Sequence, residues 1–161
     1  MLMELFSQIR QEHKELLNDV DRLVGANPAQ HRRSVDDLTI RLLAHWNAEE
    51  QSIYQAFEEL DAVPRSLALR HEQEHHVMRL LMTELQEKVY NVEVWNAKLQ
   101  VFRSVAQNHV DSEERTMFDM AGEYFNDEEI NEMTRKFEDV EVDLFKESRI
   151  RPYTRKQIRQ P

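Results

Sequence analysis

An all-α fold, an up-down-up-down antiparallel four-helix bundle with an additional C-terminal helix, is predicted by three features of this 161-residue chain. It holds only 2 Gly and 4 Pro, too few turn formers for a many-stranded protein. Apolar residues recur at steps of three and four in long stretches. Histidine and glutamate recur in those same stretches as i,i+4 pairs: His45-Trp-Asn-Ala-Glu49, His71-Glu-Gln-Glu-His75 and His109-Val-Asp-Ser-Glu113. Residues four apart on an α-helix share a face, about 6 Å apart along the axis, so each pair can aim two side chains at one point.

The elements follow in order. A first helix starts near Leu2 and ends at Gly25-Ala-Asn27-Pro28. The second is expected from about Ala29 to Leu60, stopping before Pro64, which disfavours helix in its preceding residue. The third should begin near Pro64 or Ser66 and reach about Val89, and a polar Tyr90-Asn91 turn leads to a fourth from about Glu93 to Tyr124. Asn126 followed by Glu129 reads as an N-cap and its reciprocal acid, opening a fifth helix to about Glu147. Short connections between long helices imply antiparallel neighbours. Residues 1–125 should form the bundle, and 126–161 a helix and basic tail packed on it or extending from it.

Composition removes several function classes. There is no Cys, so thiolate metal sites, iron–sulfur clusters, disulfides and Cys nucleophiles are excluded, and any metal must be held by nitrogen and oxygen. A formal net charge of -10 argues against general nucleic-acid binding. The opening Met1-Leu2-Met3-Glu4-Leu5-Phe6 has no long apolar run, so neither a signal peptide nor a membrane anchor is expected, and the chain reads as cytoplasmic.

The polar residues of interest fall inside the apolar stripes. His13 lies between Ile9 and Leu16 in the stripe Leu5, Ile9, Leu16, Val20, Leu23. His45 and Glu49 continue Leu38 and Leu42 toward Ile53 and Ala56. His71 and His75 lead to Met78, Met82 and Leu85, and Phe102, Val105, His109, Glu113, Thr116 and Met120 form the fourth stripe. An ionised Glu in a helical core is costly unless it is paired or binds a metal. Taken singly, His13 suits a hydrogen-bonded core histidine, and Glu49 and Glu113, flanked by Glu50 and Glu114, suit the surface. Jointly, chance would have to place His and Glu at matching depth on four helices. His31 and His76 lie off this pattern, His31 facing solvent and His76 on the surface or just outside the site.

The candidate ligands are therefore His13, His45, Glu49, His71, His75, His109 and Glu113. Five imidazoles and two carboxylates exceed what one tetrahedral zinc can use, and they suit two six-coordinate ions such as iron. Of twelve positions, five go to His, four to bridging Glu and two to an oxo or hydroxo bridge. One position stays open, with room for one small ligand.

At these residues the chain resembles the hemerythrin family, in the broad group of bacterial hemerythrin-like HHE domains, over about residues 1–122. The family pattern is a lone His on the first helix, His-x-x-x-Glu on the second, His-x-x-x-His on the third, and a His with a nearby carboxylate on the fourth. The resemblance implies two iron ions: one held by His71, His75 and His109, the other, with the open position, by His13 and His45, and both bridged by Glu49 and Glu113. Oxygen-carrying hemerythrins usually have His-x-x-x-x-Asp on the fourth helix, and this chain has His-x-x-x-Glu. That departure leaves room for nitric-oxide, redox or iron-related roles beside oxygen binding.

The expected function is binding or sensing of O2 or a related small ligand, NO or peroxide, without turnover. The alternative is a metalloenzyme at the same site, a di-iron redox catalyst or a protein of iron-centre repair. A zinc hydrolase is a weaker alternative: His71-Glu72-Gln-Glu-His75 satisfies His-Glu-x-x-His, with Glu72 as general base, but it leaves His13, His45 and His109 unused. From Lys146 the tail carries Arg149, Arg151, Arg155, Lys156 and Arg159, with Pro152 barring a continuous helix. It reads as solvated, or as an arm docking on the acidic face of a second copy in a homodimer.

Overall fold

A computed structural model describes residues 2–87 and 89–148. Every regular element among them is helical. We number five helices: α1 (Leu2–Leu23), α2 (Arg32–Glu49), α3 (Ala62–Gln86), α4 (Val92–Ser112) and α5 (Asp127–Ser148). Two of them do not end where their α-helical geometry does. α2 passes through a π-helical turn, Glu50–Tyr54, into Gln55–Glu58, and α4 passes through Glu113–Met117 into Phe118–Tyr124.

Local signals account for most boundaries. Gly25, at φ 79°, turns the chain after α1 in a conformation that residues with a Cβ avoid. The Asn91 carboxamide accepts from the backbone N–H of Glu93 and Val94 to start α4. At α5, Asn126 Oδ1 accepts from Glu128 and Glu129, and Glu129 Oε2 accepts from the Asn126 N–H at 2.8 Å, the reciprocal cap expected from the sequence. α3 begins earlier than expected, at Ala62. Pro64 falls in its first turn, where a missing N–H costs nothing. α2 begins later, at Arg32, because residues 28–30 form a turn.

The helices pack as a bundle, α1 and α3 against α2 and α4, with α5 laid along α2 and touching α1. The buried apolar residues form two clusters. One holds Leu16, Val20, Leu42, Trp46, Met78, Met82, Leu99 and Phe102. The other holds Leu5, Ile9, Ile53, Phe57, Met117, Phe118, Ile130 and Phe137. α5 contributes only to the second, which it helps to close. His13 marks the border in α1, between Ile9 of one cluster and Leu16 of the other. None of the described helices is long and apolar enough to cross a membrane. Lys146 is exposed in the last turn of α5, and the basic residues Arg149 to Arg159 lie outside the described residues.

The predicted stripes hold upstream of the π turns and slip after them. On α4 the expected Thr116 is exposed and Met120 only half-buried, whereas Met117, Phe118 and Ala121 are buried. On α2, Ala56 yields to Phe57, which is fully buried. Each π turn inserts one extra residue, which rotates everything downstream by about 100° and advances the buried set by one position.

Candidate metal centre

Between the two apolar clusters lies a polar layer. His13, His45, Glu49, His71, His75, His109 and Glu113 are each at most 3% exposed. α1 supplies His13, α2 His45 and Glu49, α3 His71 and His75, and α4 His109. Glu49 stands just before the first π turn and Glu113 opens the second. Such turns occur often at functional sites, because the extra residue redirects a side chain without ending the helix.

The ring nitrogens and carboxylates converge. His13 Nε2 lies 3.2 Å from both Glu49 Oε1 and Glu113 Oε2, and His45 Nε2 is 2.9 Å from Glu49 Oε1. On the other side, His75 Nε2 is 3.4 Å from Glu49 Oε2 and 3.0 Å from His109 Nε2. Glu49 thus belongs to two metal-capable groups, His13–His45–Glu49 and Glu49–His75–His109. Glu113 Oε2 also reaches both sides, at 3.2 Å from His13 and 3.9 Å from His109 Nε2. His71 does not join them. Its Nδ1 faces His109 Nδ1 at 3.1 Å, and its Nε2 faces Ser112 Oγ at 3.4 Å.

Three buried atoms in this layer have close neighbours but none in good hydrogen-bond alignment: His45 Nε2, Glu49 Oε2 and Glu113 Oε2. Buried polar atoms rarely go unpaired, so three in one layer call for a missing partner. Adjacent ligands at about 2.1 Å from an octahedral ion stand about 3 Å apart, the spacing seen here. The donor set is nitrogen and oxygen throughout, which fits iron, manganese or zinc.

A ring of outer carboxylates orients the imidazoles. His45 Nδ1 donates to Glu12 Oε2, His13 Nδ1 to Glu114 Oε1 and His75 Nδ1 to Glu50 Oε1, each at 2.8 Å, and His109 Nδ1 donates to Glu74 Oε2 at 2.9 Å. Each contact frees Nε2 to face the interior, the arrangement that raises the basicity of metal-binding histidines. Arg79 grips Glu50 through both oxygens, at 2.7 and 2.9 Å, while lying over Trp46. Sequence reasoning missed these acids, although each adjoins a candidate ligand. In the sequence alone, Glu50 and Glu114 suggest only that Glu49 and Glu113 beside them are exposed. Tyr54 was missed too. Its hydroxyl donates to Glu113 Oε1 at 2.8 Å and lies 3.4 Å from His75 Nε2, so it, not His71, is the next donor atom beside that half of the layer. The spacing of α2's apolar residues does not single it out.

The charges are tightly interlocked. Burial pushes His45 down, but the Glu49 charge and the hydrogen bonds to Glu12 and Glu49 outweigh it and hold the ring at a pKa of about 10. His13 is likewise raised against its burial by bonds to Glu113, Glu114 and Glu49. Glu49 is held well below the usual range, burial being overcome by the charge on His45 and bonds from three histidines. His71, with burial dominant, falls to about 4 and is neutral. Burial lifts Tyr54 above the usual phenol range, with Glu113 and Glu49 adding to it. From α5, Phe137 stands edge-on to the His45 ring at 6.0 Å, and Glu141 faces Glu12. Burial and the Glu12 charge raise Glu141 to about 8.

A four-helix layer of buried His and Glu defines a cation-binding helical domain. The chain matches the hemerythrin HHE cation binding domain over residues 4–121, and it belongs to that family. No curated protein and no solved structure matches it.

Proposed function

We propose that the polar layer is a non-haem di-iron centre that binds or senses O2 or a related small ligand, NO or peroxide, without turnover. His13 and His45 would hold one iron, and His71, His75 and His109 the other, with the Tyr54 hydroxyl beside the second group. Glu49 and Glu113, each close to histidines of both groups, would serve both ions. The short connections and the meeting of four helices at one layer support the up-down-up-down arrangement. When bound, the iron pair would supply redox chemistry and one open coordination position.

One observation carries this reading: a small cavity against His13, His45 and His109, about 20 Å³ in volume and lined by Leu16, Leu42 and Trp46. Such a space holds about one water-sized molecule, which admits a diatomic ligand and excludes an organic substrate. Trp46, 3% exposed, faces inward. The zinc-hydrolase reading loses ground here. Glu72 lies beside the Glu58 carboxylate, which together with burial raises its pKa, and His71 turns toward His109 and Ser112.

Iron analysis with azide titration tests the proposal. Two irons per chain and a ferric spectrum shifted by azide are expected. Two irons with a spectrum indifferent to saturating azide would mean a filled or closed site, and zinc in place of iron would remove the di-iron reading.

A further inference from the structure

Charged residues make up 32% of this chain, yet the outward side of α4 carries none over four turns. Between Val94 and Asn108 its exposed positions are Val94, Ala97, Gln100, Val101, Ser104 and Asn108. The two cations in this span pair within the chain, Lys98 with Glu84 and Arg103 with Asp21, each at 2.7 Å. Val94 and Val101 are 51% and 53% exposed, and Val77 and Leu80 of the adjoining α3 are exposed as well. α5 lies along α2 and touches α1, leaving these aliphatic side chains open to solvent. Their spacing is that of a coiled-coil seam. Val94, Ala97, Val101, Ser104 and Asn108 alternate steps of three and four, the a and d positions of two heptads. The residues that α4 buries in its own bundle, among them Trp95, Leu99 and Phe102, fall at b and f on the opposite side. We infer that α4 is the contact helix of a homodimer, in which a second copy of this chain lays its own α4 parallel to it along this seam.

Charge and register select that occupant. A second copy brings the same net charge of -10, so two copies repel through most of their surface and can meet where charge is absent. In a parallel pair each seam position meets its own counterpart. Val94 and Val101 at a favour two strands, and Asn108 at a can bond its counterpart and fix the register. Ala97 and Ser104 at d are small enough for the backbones to approach. Glu93, at g, has no ion pair among the described residues, and a parallel pair brings it to Lys98 of the partner subunit at e. An antiparallel pair would set g against g, Glu93 with Gln107, and e against e, Lys98 with Val105, with no charge complementarity. Two heptads are short for free peptides, but α4 is already held helical by its own bundle, so association bears no cost of helix nucleation. The inference stands apart from the di-iron reading, because no seam residue belongs to a metal-capable group among the described residues.

Sedimentation of the full chain between roughly 1 and 300 µM tests the dimer, a span suited to an interface at the small end of the stable range. A concentration-dependent dimer is expected. Val101→Glu sets two carboxylates face to face, and it should weaken association at least tenfold while helicity and metal content stay unchanged. Val63→Glu, at an exposed position in the first turn of α3, should leave association as it is. Val94→Cys reads the direction. The chain has no Cys, so mild oxidation can join position 94 only to its own copy. A disulfide-linked dimer is expected, because an antiparallel pair centred on Val101 would hold the two thiols about 21 Å apart along the helix axis. A chain that stays monomeric throughout, a dimer that Val101→Glu leaves intact, or a Val94→Cys dimer that forms no disulfide each overturns the proposal.

Discussion

The Tyr54 hydroxyl donates to Glu113 Oε1 at 2.8 Å, joining α2 to α4 across the polar layer. The bond occupies one Glu113 oxygen and leaves Oε2 facing His13 and His109. Tyr54→Phe keeps the ring and its packing but frees that carboxylate. Metal affinity in a competition titration should fall about 10- to 100-fold, the usual cost of losing an outer partner. Unchanged affinity would mean that Glu113 is held by its other contacts alone.

Glu49→Ala should be more damaging than His13→Ala. Glu49 faces donors on both sides of the layer, whereas His13 serves one. Metal analysis should show His13→Ala losing at most one ion per chain and Glu49→Ala losing most of both. A Glu49→Ala protein that retains two ions with an unaltered spectrum contradicts a bridging role.

Two opposite pH slopes are expected from His45. Its ring titrates near 10 in the metal-free chain against 6.5 ordinarily. Its contribution to metal-free stability is therefore complete below pH 6.5 and disappears as pH climbs through about 10. Metal binding expels the same proton, so affinity should rise over that interval. Denaturant midpoints of the metal-free chain should fall between pH 7 and pH 9.5 while metal affinity increases. Parallel trends would show that His45 is not the dominant group.

How far the chain could be read without coordinates depends on where the helices are regular. His13, His45, Glu49, His71, His75 and His109 share stripes with apolar residues that prove buried, so the polar layer was legible from period alone. Thr116 and Ala56 were misplaced because a period of 3.6 assumes an unbroken helix, and nothing in Glu50–Tyr54 or Glu113–Met117 announces an extra residue. The outward turn of His71 was invisible for a different reason. Spacing says which face a side chain shares, not which rotamer it takes once a neighbour competes for it.

Phe137→Ala tests the role of α5, which lies outside the matched residues 4–121. Phe137 is fully buried and meets the His45 ring. Its loss should destabilise the metal-free chain by about 3–5 kcal/mol in urea denaturation. A cost under about 1 kcal/mol would show that α5 merely rests on the bundle.

Cavity filling should separate ligand access from metal binding. Ala106 lines the small space beside His13 and His45 and is absent from every metal-capable group among the described residues. Ala106→Val should leave two irons in place and weaken azide binding at least tenfold. Equal azide affinity would place the entry path elsewhere.

The π turns make α2 and α4 behave like two keys cut on one shaft. Above each turn the helix presents one angular set of teeth to the upper cluster, and below it a set rotated by about 100° to the lower one. The polar layer sits where the cut changes. Deleting a single residue between 50 and 54 would give a straighter, more regular rod, yet it would swing Phe57 off its seat and break its alignment with everything upstream. The irregular stretches are thus where this chain is least free to change its length.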